Sequence, residues 1–259
     1  MSDYRPSWMD AELDLFRAAV SRFVATEMEP RYAEWREQHH IDPDIWRKAG
    51  AHGFLCTDIP AEYGGAGADF RYEAVFFEEQ WRRGLTGMGQ GVHSITAHYL
   101  LNHGTEAQKQ RWLPQMAAGQ LIGAIAMTEP NAGSDLQAVS TRAERDGDHY
   151  VINGGKIFIT NGHLCELLAL VARTGPRGGG RGLSIFMLET KDLPGFKVGS
   201  PLLKMGQHAQ DTCELFFDNV RVPASHLLGG EEGRGFQQLM ADLPYERTTI
   251  GVQSVAMME

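Results

Sequence analysis

The feature that most constrains the fold is a double change in the spacing of the hydrophobic residues along the 259-residue chain. Up to about Gly119, apolar residues recur every three or four positions, which predicts amphipathic helices. From there to about Leu228, short β-branched and aromatic runs alternate with turn signals, which predicts strands. From Glu231 the helical spacing returns. The sequence therefore predicts an α+β multidomain protein with a helical domain, a mostly antiparallel β domain and the beginning of a second helical domain, at residues 1–119, 120–228 and 229–259.

Local signals place the ends of several helices. Asp10 or Ser7 stands before the first periodic segment, and either side chain could cap its first turn. Thr105 follows a glycine break and predicts a second cap. That second helix is predicted to stop near Pro114, because proline lacks the N–H that a further turn needs. The last helix is predicted to pack through one apolar face, formed by Phe236, Leu239, Met240 and Leu243.

Turn signals divide the β-rich region. Asp146-Gly147 and Asn153-Gly154 each predict a tight hairpin turn, since such turns need positive φ at their central positions. The glycine-rich basic segment 175–182 predicts a flexible surface loop.

Composition narrows the class of ligand. The formal net charge of −9 argues against a nucleic-acid surface, so a small-molecule ligand is expected. No apolar run approaches the roughly 20 residues of a membrane span, and the N-terminus does not look like a signal peptide, so no membrane association and a cytoplasmic location are expected. Cys56, Cys165 and Cys213 are odd in number and far apart, which predicts buried small hydrophobes. The scattered histidines predict no metal site.

Two segments carry the chemical signals of the β-rich region. Residues 126–135, AMTEPNAGSD, combine small residues with the hydroxyls of Thr128 and Ser134, which suits a flat ligand with polar edges. An ordinary turn that closes a β corner explains this segment equally well. Residues 156–162, KIFITNG, place Phe158 and Thr160 on one strand face, where a ring could stack beside a hydroxyl. Taken alone, Phe158 is better explained as a core aromatic.

Together these segments resemble the acyl-CoA dehydrogenase family. The likeness covers almost the whole chain, in the family's order, through IPAEYGGAG, GTEAQKQRWLP, AMTEPNAGSD, KIFITNG, LLKMGQHAQDTCELFFDNVRVP and LLGGEEGRGF. It implies an N-terminal helical domain, a central β-barrel domain and a C-terminal helical bundle. It further implies FAD held between the β domain and the bundle, usually in a homotetramer. Against such relatives the chain is expected to stop before the end of the C-terminal domain.

The resemblance also assigns residues to the flavin. Thr128 and Ser134 match positions that hold the flavin ring, and the strand around Phe158 matches the one beside it. The cofactor-binding residues so implied are Ile125, Met127, Thr128, Gly133, Ser134, Phe158, Ile159 and Thr160. The chain departs from the family at two of them, since many members carry tryptophan in place of Phe158 and an aromatic residue in place of Ile125. Both departures loosen any prediction of the substrate.

Glu246 is the candidate for the catalytic base. The family's reaction passes the α-proton of an acyl-CoA thioester to a glutamate while a hydride leaves the β-carbon for the flavin. The segment LPYERTTIG resembles the isovaleryl-CoA and long-chain members, in which the glutamate before the arginine is the base. Most other members place the base later, beyond the end of this chain. Without the resemblance, this glutamate and Arg247 would be an ordinary solvated pair. Substrate contacts are implied for Ser134, Tyr245 and Arg247.

Two kinds of alternative stay open. Relatives on this fold pass electrons to oxygen, as acyl-CoA oxidases and nitroalkane oxidases do, or use reduced flavin for monooxygenation. A glutamate base favours dehydrogenation over nitroalkane chemistry. The other alternative is a non-catalytic fragment, or a subunit that binds FAD only when a partner chain completes it. The expected partners are an acyl-CoA substrate, an electron-transfer flavoprotein or similar acceptor, and further copies of the chain.

Overall fold

The structure is a computed structural model that describes residues 5–176 and 182–259. Its elements occur in the order helices, sheet, helix, which confirms the predicted fold class. In these ranges six α-helices come first: α1 (Ala11–Phe23), α2 (Tyr32–Gln38), α3 (Asp44–Ala51), α4 (Phe70–Trp81), α5 (Gln90–His103) and α6 (Glu106–Ala117). The strands described next are β1 (Gly123–Ala126), β2 (Arg142–Asp146), β3 (His149–Thr160), β4 (Leu167–Arg173), β5 (Leu183–Glu189), β6 (Phe196–Val198) and β7 (Thr212–Pro223). A long helix, α7, spans Gly235–Met258.

The helix starts agree with their predicted caps, and one helix end does not. The Asp10 carboxylate accepts a hydrogen bond from the Leu13 N–H, and Thr105 forms a reciprocal capping box with Gln108. The predicted stop at Pro114 is wrong, because α6 continues to Ala117. Met116 and Ala117, in the turn that follows the proline, are buried in the core. Their packing keeps that last turn helical, although Pro114 has no N–H to donate to the Gln110 carbonyl in the turn before it.

The strands form one sheet in the order β1-β4-β2-β3-β7-β6, with β5 added beside β4. Strand β4 runs parallel to β1 and pairs in parallel with the first residue of β2, whereas the β2–β3, β3–β7, β4–β5 and β6–β7 pairs are antiparallel. The prediction of a mostly antiparallel β region is therefore confirmed.

Only one of the two predicted hairpin turns forms. The β2–β3 turn contains Gly147 at φ +63°, as a tight turn requires. Asn153-Gly154 is not a turn, because both residues lie inside β3, at a shift in its register with β7. Gly154 has φ +151°, and a Cβ at this position would lie 2.6 Å from the Thr141 hydroxyl oxygen. This glycine therefore allows a β-bulge and a close approach of β3 to the chain before β2.

Helix α7 joins the helices to the sheet. It packs against α4, α5 and β5, and Leu239 belongs to a core that it shares with β4 and β5. Its predicted apolar face is only partly correct, since Met240 is 40% exposed. The buried positions include polar ones, namely Gln238, Asp242 and Thr249. Polar partners on neighbouring elements therefore decide how this helix is oriented, in addition to its apolar residues.

The remaining predictions about the chain have mixed outcomes. The three cysteines are free and buried, as expected. Most of the glycine-rich segment 175–182 lies outside the described residues. No helix within 5–176 or 182–259 is long and apolar enough to cross a membrane.

Candidate active site

Glu246 lies on α7 and faces α5. The Tyr99 hydroxyl donates a hydrogen bond to Glu246 Oε1 at 2.8 Å, and the tyrosine side chain is fully buried. Burial raises the pKa of Glu246 above its usual value and the nearby Asp242 charge adds to this, while the Tyr99 bond and Arg247 oppose it. A partly buried carboxylate with a raised pKa has the properties of a general base that works near neutral pH.

A second carboxylate lies one helical turn before Glu246. Asp242 is almost fully buried, and each of its oxygens has a partner on α5. Asn102 Nδ2 donates to Oδ1 at 2.6 Å, and His103 Nε2 lies 2.8 Å from Oδ2. Residues 99, 102 and 103 share one face of α5, and 242 and 246 share one face of α7. The two helices are therefore joined by a line of polar contacts.

A cavity of about 350 Å³ lies between α5, α7 and the end of β3. Ile95 on α5 lies one turn before Tyr99, and Thr249 on α7 lies just under one turn after Glu246. Both line the cavity, whereas Tyr99 and Glu246 do not, so the carboxylate lies about one helical turn from the lining residues. The full lining is Trp81, Met88, Gly89, Gly91, Val92, Ile95, Thr160, Gln207, Gln210, Thr249, Ile250, Gln253 and Ser254. Apolar side chains from α5 meet amide and hydroxyl groups from α7 and from the loop that precedes β7.

Space for this cavity depends on a small residue in α5. A Cβ placed on Gly91 would lie 2.9 Å from Gln253 Nε2 and 3.1 Å from Thr249 Cγ2. Any side chain at position 91 would therefore point toward α7 and into the space between the two helices.

A buried ion pair fixes the loop that follows β1. The side chains of Lys156 and Glu129 are 0% and 3% exposed, and Lys156 Nζ lies 2.8 Å from Glu129 Oε1. The same ammonium donates to the Met127 carbonyl oxygen at 2.9 Å, while Glu129 also accepts hydrogen bonds from Ser140 and Thr141. Burial alone would raise the pKa of Glu129, but the ammonium and these donors lower it to about 2. Lys156 of β3 thus holds the loop through the Met127 backbone and through the Glu129 side chain.

The predicted flavin-binding residues in that loop differ in their exposure to solvent. Ile125, Met127 and Thr128 are half-buried, whereas Gly133 and Ser134 are exposed. A Cβ on Gly133 would meet no atom within 4 Å, so the space beside its backbone is open. This part of the loop therefore has room for a ligand to approach the main chain.

Phe158 has an unusual conformation. Its φ is +61°, its ring is 63% exposed, and it lies where the register between β3 and β7 shifts a second time. The interpretation of Phe158 as a core aromatic is therefore wrong. The next two residues point to different sides, since Ile159 is buried in the sheet core and Thr160 lines the cavity. An exposed aromatic ring held at positive φ is typical of a site whose geometry serves a ligand.

With this geometry in place, the likeness to known proteins becomes specific. The domains described as "Acyl-CoA dehydrogenase, N-terminal domain" and "Acyl-CoA dehydrogenase, middle domain" match residues 10–120 and 124–220. The chain belongs to the acyl-CoA dehydrogenase family.

Individual members of the family are similar over nearly the whole chain. The mitochondrial long-chain specific acyl-CoA dehydrogenase of Mus musculus is 45% identical over 252 residues, which covers 96% of this chain and 58% of that protein. An acyl-CoA dehydrogenase structure from Geobacillus kaustophilus has a TM-score of 0.93 and 44% identity, covering 97% of this chain and 67% of that one. A glutaryl-CoA dehydrogenase from Mycobacterium smegmatis, in complex with FADH2, has a TM-score of 0.85 and 31% identity, covering 96% and 62%. The chain thus spans 58% of the length of the curated relative named here.

Tyr245 and Arg247 flank Glu246 but differ from it in their surroundings. The Tyr245 ring stacks on His98 at 3.8 Å between centroids, and its buried hydroxyl has no hydrogen-bond partner in the described residues. It does not line the cavity beside Glu246. Arg247 is exposed on the outer side of α7.

The sequence did not reveal the residues that contact Glu246, the candidate base. Tyr99, Asn102, His103 and Asp242 carried no motif, and only the spacing 99, 102, 103 on α5 could have indicated a polar face. The Lys156–Glu129 pair was also missed, although a lysine within an otherwise apolar strand is itself a signal of a buried partner.

Proposed function

We propose that the chain carries out flavin-dependent α,β-dehydrogenation of an acyl-CoA thioester, with Glu246 as the base. The observation that carries this proposal is the Glu246 carboxylate, which Tyr99 holds at about one helical turn from Thr249, a residue that lines the same cavity as Thr160. The similarity of the chain to the mouse long-chain specific acyl-CoA dehydrogenase supports an acyl-CoA as the substrate. We also propose the domain limits 1–119, 120–228 and 229–259.

The cavity provides a place for an acyl chain. Val92 and Ile95 present apolar side chains from α5, Met88 does so from the segment before α5, and Ile250 from α7. Burial of such a chain removes apolar surface from water, at about 25 cal/mol for each Å². The thioester end would then lie toward Glu246, because a base must come within hydrogen-bonding distance of the proton that it takes.

The residues around the β1 loop fit a flavin. Thr128 and Ser134 offer hydroxyl groups, and the backbone of Ile125, Met127 and Gly133 offers amide groups at partly open positions. Phe158, Ile159 and Thr160 would contribute the neighbouring strand, with Ile159 acting through its backbone since its side chain is buried. FAD at this place would supply the acceptor for the hydride that leaves the β-carbon.

The chain itself supplies the proton transfer. Glu246 takes the α-proton, and burial raises the pKa of Glu246, which makes its carboxylate a stronger base for this step. Arg247 contributes a positive charge beside the base, and Ser134 and Tyr245 are proposed substrate contacts that would require a different Tyr245 orientation. An electron-transfer flavoprotein or similar acceptor and a homo-oligomeric state complete the proposal.

The test is the visible absorbance spectrum of the purified chain before and after addition of FAD, followed by anaerobic addition of short, medium and long acyl-CoAs. We expect a protein-bound flavin spectrum that bleaches with at least one acyl-CoA. A bound flavin that no acyl-CoA bleaches would contradict dehydrogenation. Failure to take up FAD would instead favour the non-catalytic alternative. Rapid recovery of the colour in air would indicate an oxidase.

A further inference from the structure

The polar contacts between α5 and α7 form an ordered set. Tyr99 meets Glu246, and one turn further along α5 Asn102 and His103 meet Asp242. The helices run antiparallel, because higher numbers on α5 face lower numbers on α7. We name these five residues the α5–α7 clamp. All of its contacts are between side chains, so it can change without breaking either helix.

The clamp treats its two carboxylates differently. Both oxygens of Asp242 are occupied, by Asn102 and His103. Glu246 receives one hydrogen bond, at Oε1, and within the described chain Oε2 accepts none. A base needs one oxygen fixed for orientation and the other available for the incoming proton. The clamp meets both needs at once.

We propose that Tyr99 and Asp242 are positioning residues for Glu246, a role that rests on the proposed function of Glu246 as the base. Tyr99 fixes Oε1, so that Oε2 is the oxygen that takes the substrate proton. Asp242, held in place by Asn102 and His103, puts a second carboxylate one turn away from the base. Neither residue touches the reacting atoms.

The two positioning residues act on the base with opposite signs. The ionisable groups that influence Glu246 are Tyr99 from α5 and Asp242 and Arg247 from its own helix. The Tyr99 hydrogen bond stabilises the carboxylate form and lowers the pKa of Glu246, whereas the Asp242 charge raises it. Removing the hydroxyl should therefore make Glu246 a stronger base that ionises only at higher pH, and removing the Asp242 charge should do the reverse.

The experiment measures the titration of Glu246 directly and does not depend on turnover. The full chain is labelled with ¹³C at the glutamate side-chain carboxyl carbon, and the Glu246 signal is assigned by its loss in Glu246→Gln. Tyr99→Phe should move its midpoint up by about 1 pH unit, the size expected for one hydrogen bond to a charged group. Asp242→Asn should move it down. Tyr63→Phe is a matched control, since it removes a 2.9 Å tyrosine–glutamate bond to Glu106 elsewhere, and should leave the Glu246 signal unchanged.

Opposite shifts in the two variants support the proposal, because general loosening of the helices would move both midpoints in the same direction. An unmoved midpoint in Tyr99→Phe, or shifts of one sign in both variants, overturns it.

The rate of flavin reduction, measured as a function of pH, should fall at low pH with a midpoint that moves in the same direction as the Glu246 titration. If the wild-type chain reduces no flavin while the titrations shift as expected, the proposed function fails and the positioning of the carboxylate stands. If Tyr99→Phe does not fold, Asp242→Asn alone decides, and a midpoint that does not fall overturns the proposal.

Discussion

Glu73 and Glu246 both accept hydrogen bonds from residues of α5, but their surroundings suit them to different purposes. Glu73 on α4 is 0% exposed and accepts four hydrogen bonds: two from Thr57 at Oε1, and one each from Gln90 and Ser94 at Oε2. Glu246 is only partly buried and accepts one, from Tyr99. The four hydrogen bonds occupy both oxygens of Glu73, which leaves no lone pair for a substrate proton. Glu246 keeps Oε2 available for one. Burial and a raised pKa alone therefore do not mark a base, because Glu73 has both. The number of occupied oxygens separates the two roles.

The largest expected effect tests the reactive member of the pair. Glu246→Gln keeps the shape and the contact with Tyr99 but removes the basic oxygen. The rate of anaerobic flavin reduction by acyl-CoA should fall by about 10³-fold, as is typical for loss of a general base. Stability should change little. Glu73→Gln, measured in the same way, should keep most of the rate per folded molecule, and an equal loss in both variants would remove the distinction drawn above.

The next effect concerns Glu73, the carboxylate whose role is structural. Glu73→Ala leaves the Thr57 N–H, the Gln90 amide and the Ser94 hydroxyl without their acceptor in a fully buried place. We expect a loss of about 3 kcal/mol in the free energy of unfolding, which corresponds to a fall of roughly 8 °C in Tm. Urea denaturation followed by circular dichroism measures it. A loss no larger than that of Glu246→Ala would show that the four hydrogen bonds contribute little.

A smaller effect uses the space that lies beside Glu246. Gly91→Leu should fill part of the cavity, because its side chain would point at Thr249 and Gln253. We expect KM to rise about tenfold for long acyl-CoAs and less for short ones. Gly251→Leu on α7 is the control, since a Cβ there meets nothing within 4 Å. Equal changes for both variants would mean that the cavity is not the acyl site.

The last test concerns the share of the pH dependence of stability that Glu73 should contribute. Burial first, and then the Asp58 charge, raises the pKa of Glu73 to about 7 in the folded chain, whereas an unfolded glutamate has a pKa of about 4.3. Between these values the folded state binds a proton that the unfolded state has released, so stability falls as pH rises from about 4.5 to 7. Thermal melts across this range should show a smaller decline in Glu73→Gln than in the wild type. Parallel curves would place the ionisation elsewhere.

The sequence predicted what depends on local order, and missed what depends on which distant residues meet. The caps at Asp10 and Thr105 need only a few neighbouring residues, and both form. Asn153-Gly154 has the local signal of a turn, but pairing of β3 with β7 over nearly its whole length keeps it extended. Pro114 failed as a stop for a similar reason, because core packing of the next turn prevails.

The candidate site shows the same division. Glu246, Thr128 and Thr160 were found through family resemblance in short contiguous segments. Tyr99 could not be, because its partner lies 147 positions away along the chain and the pairing depends on the antiparallel register of two helices. A sequence without an alignment contains no record of that register. From a sequence, the candidate catalytic and cofactor-binding residues are therefore easier to find than the residues that position them.

The Lys156–Glu129 pair has a consequence for how quickly a ligand would be taken up. Because the ammonium holds the Met127 carbonyl in the folded chain, the conformational entropy of this part of the loop is lost during folding and not during binding. A ligand would then dock onto a surface that is already ordered. Its observed association rate should increase in proportion to ligand concentration, without the plateau that a slow rearrangement of the loop would impose.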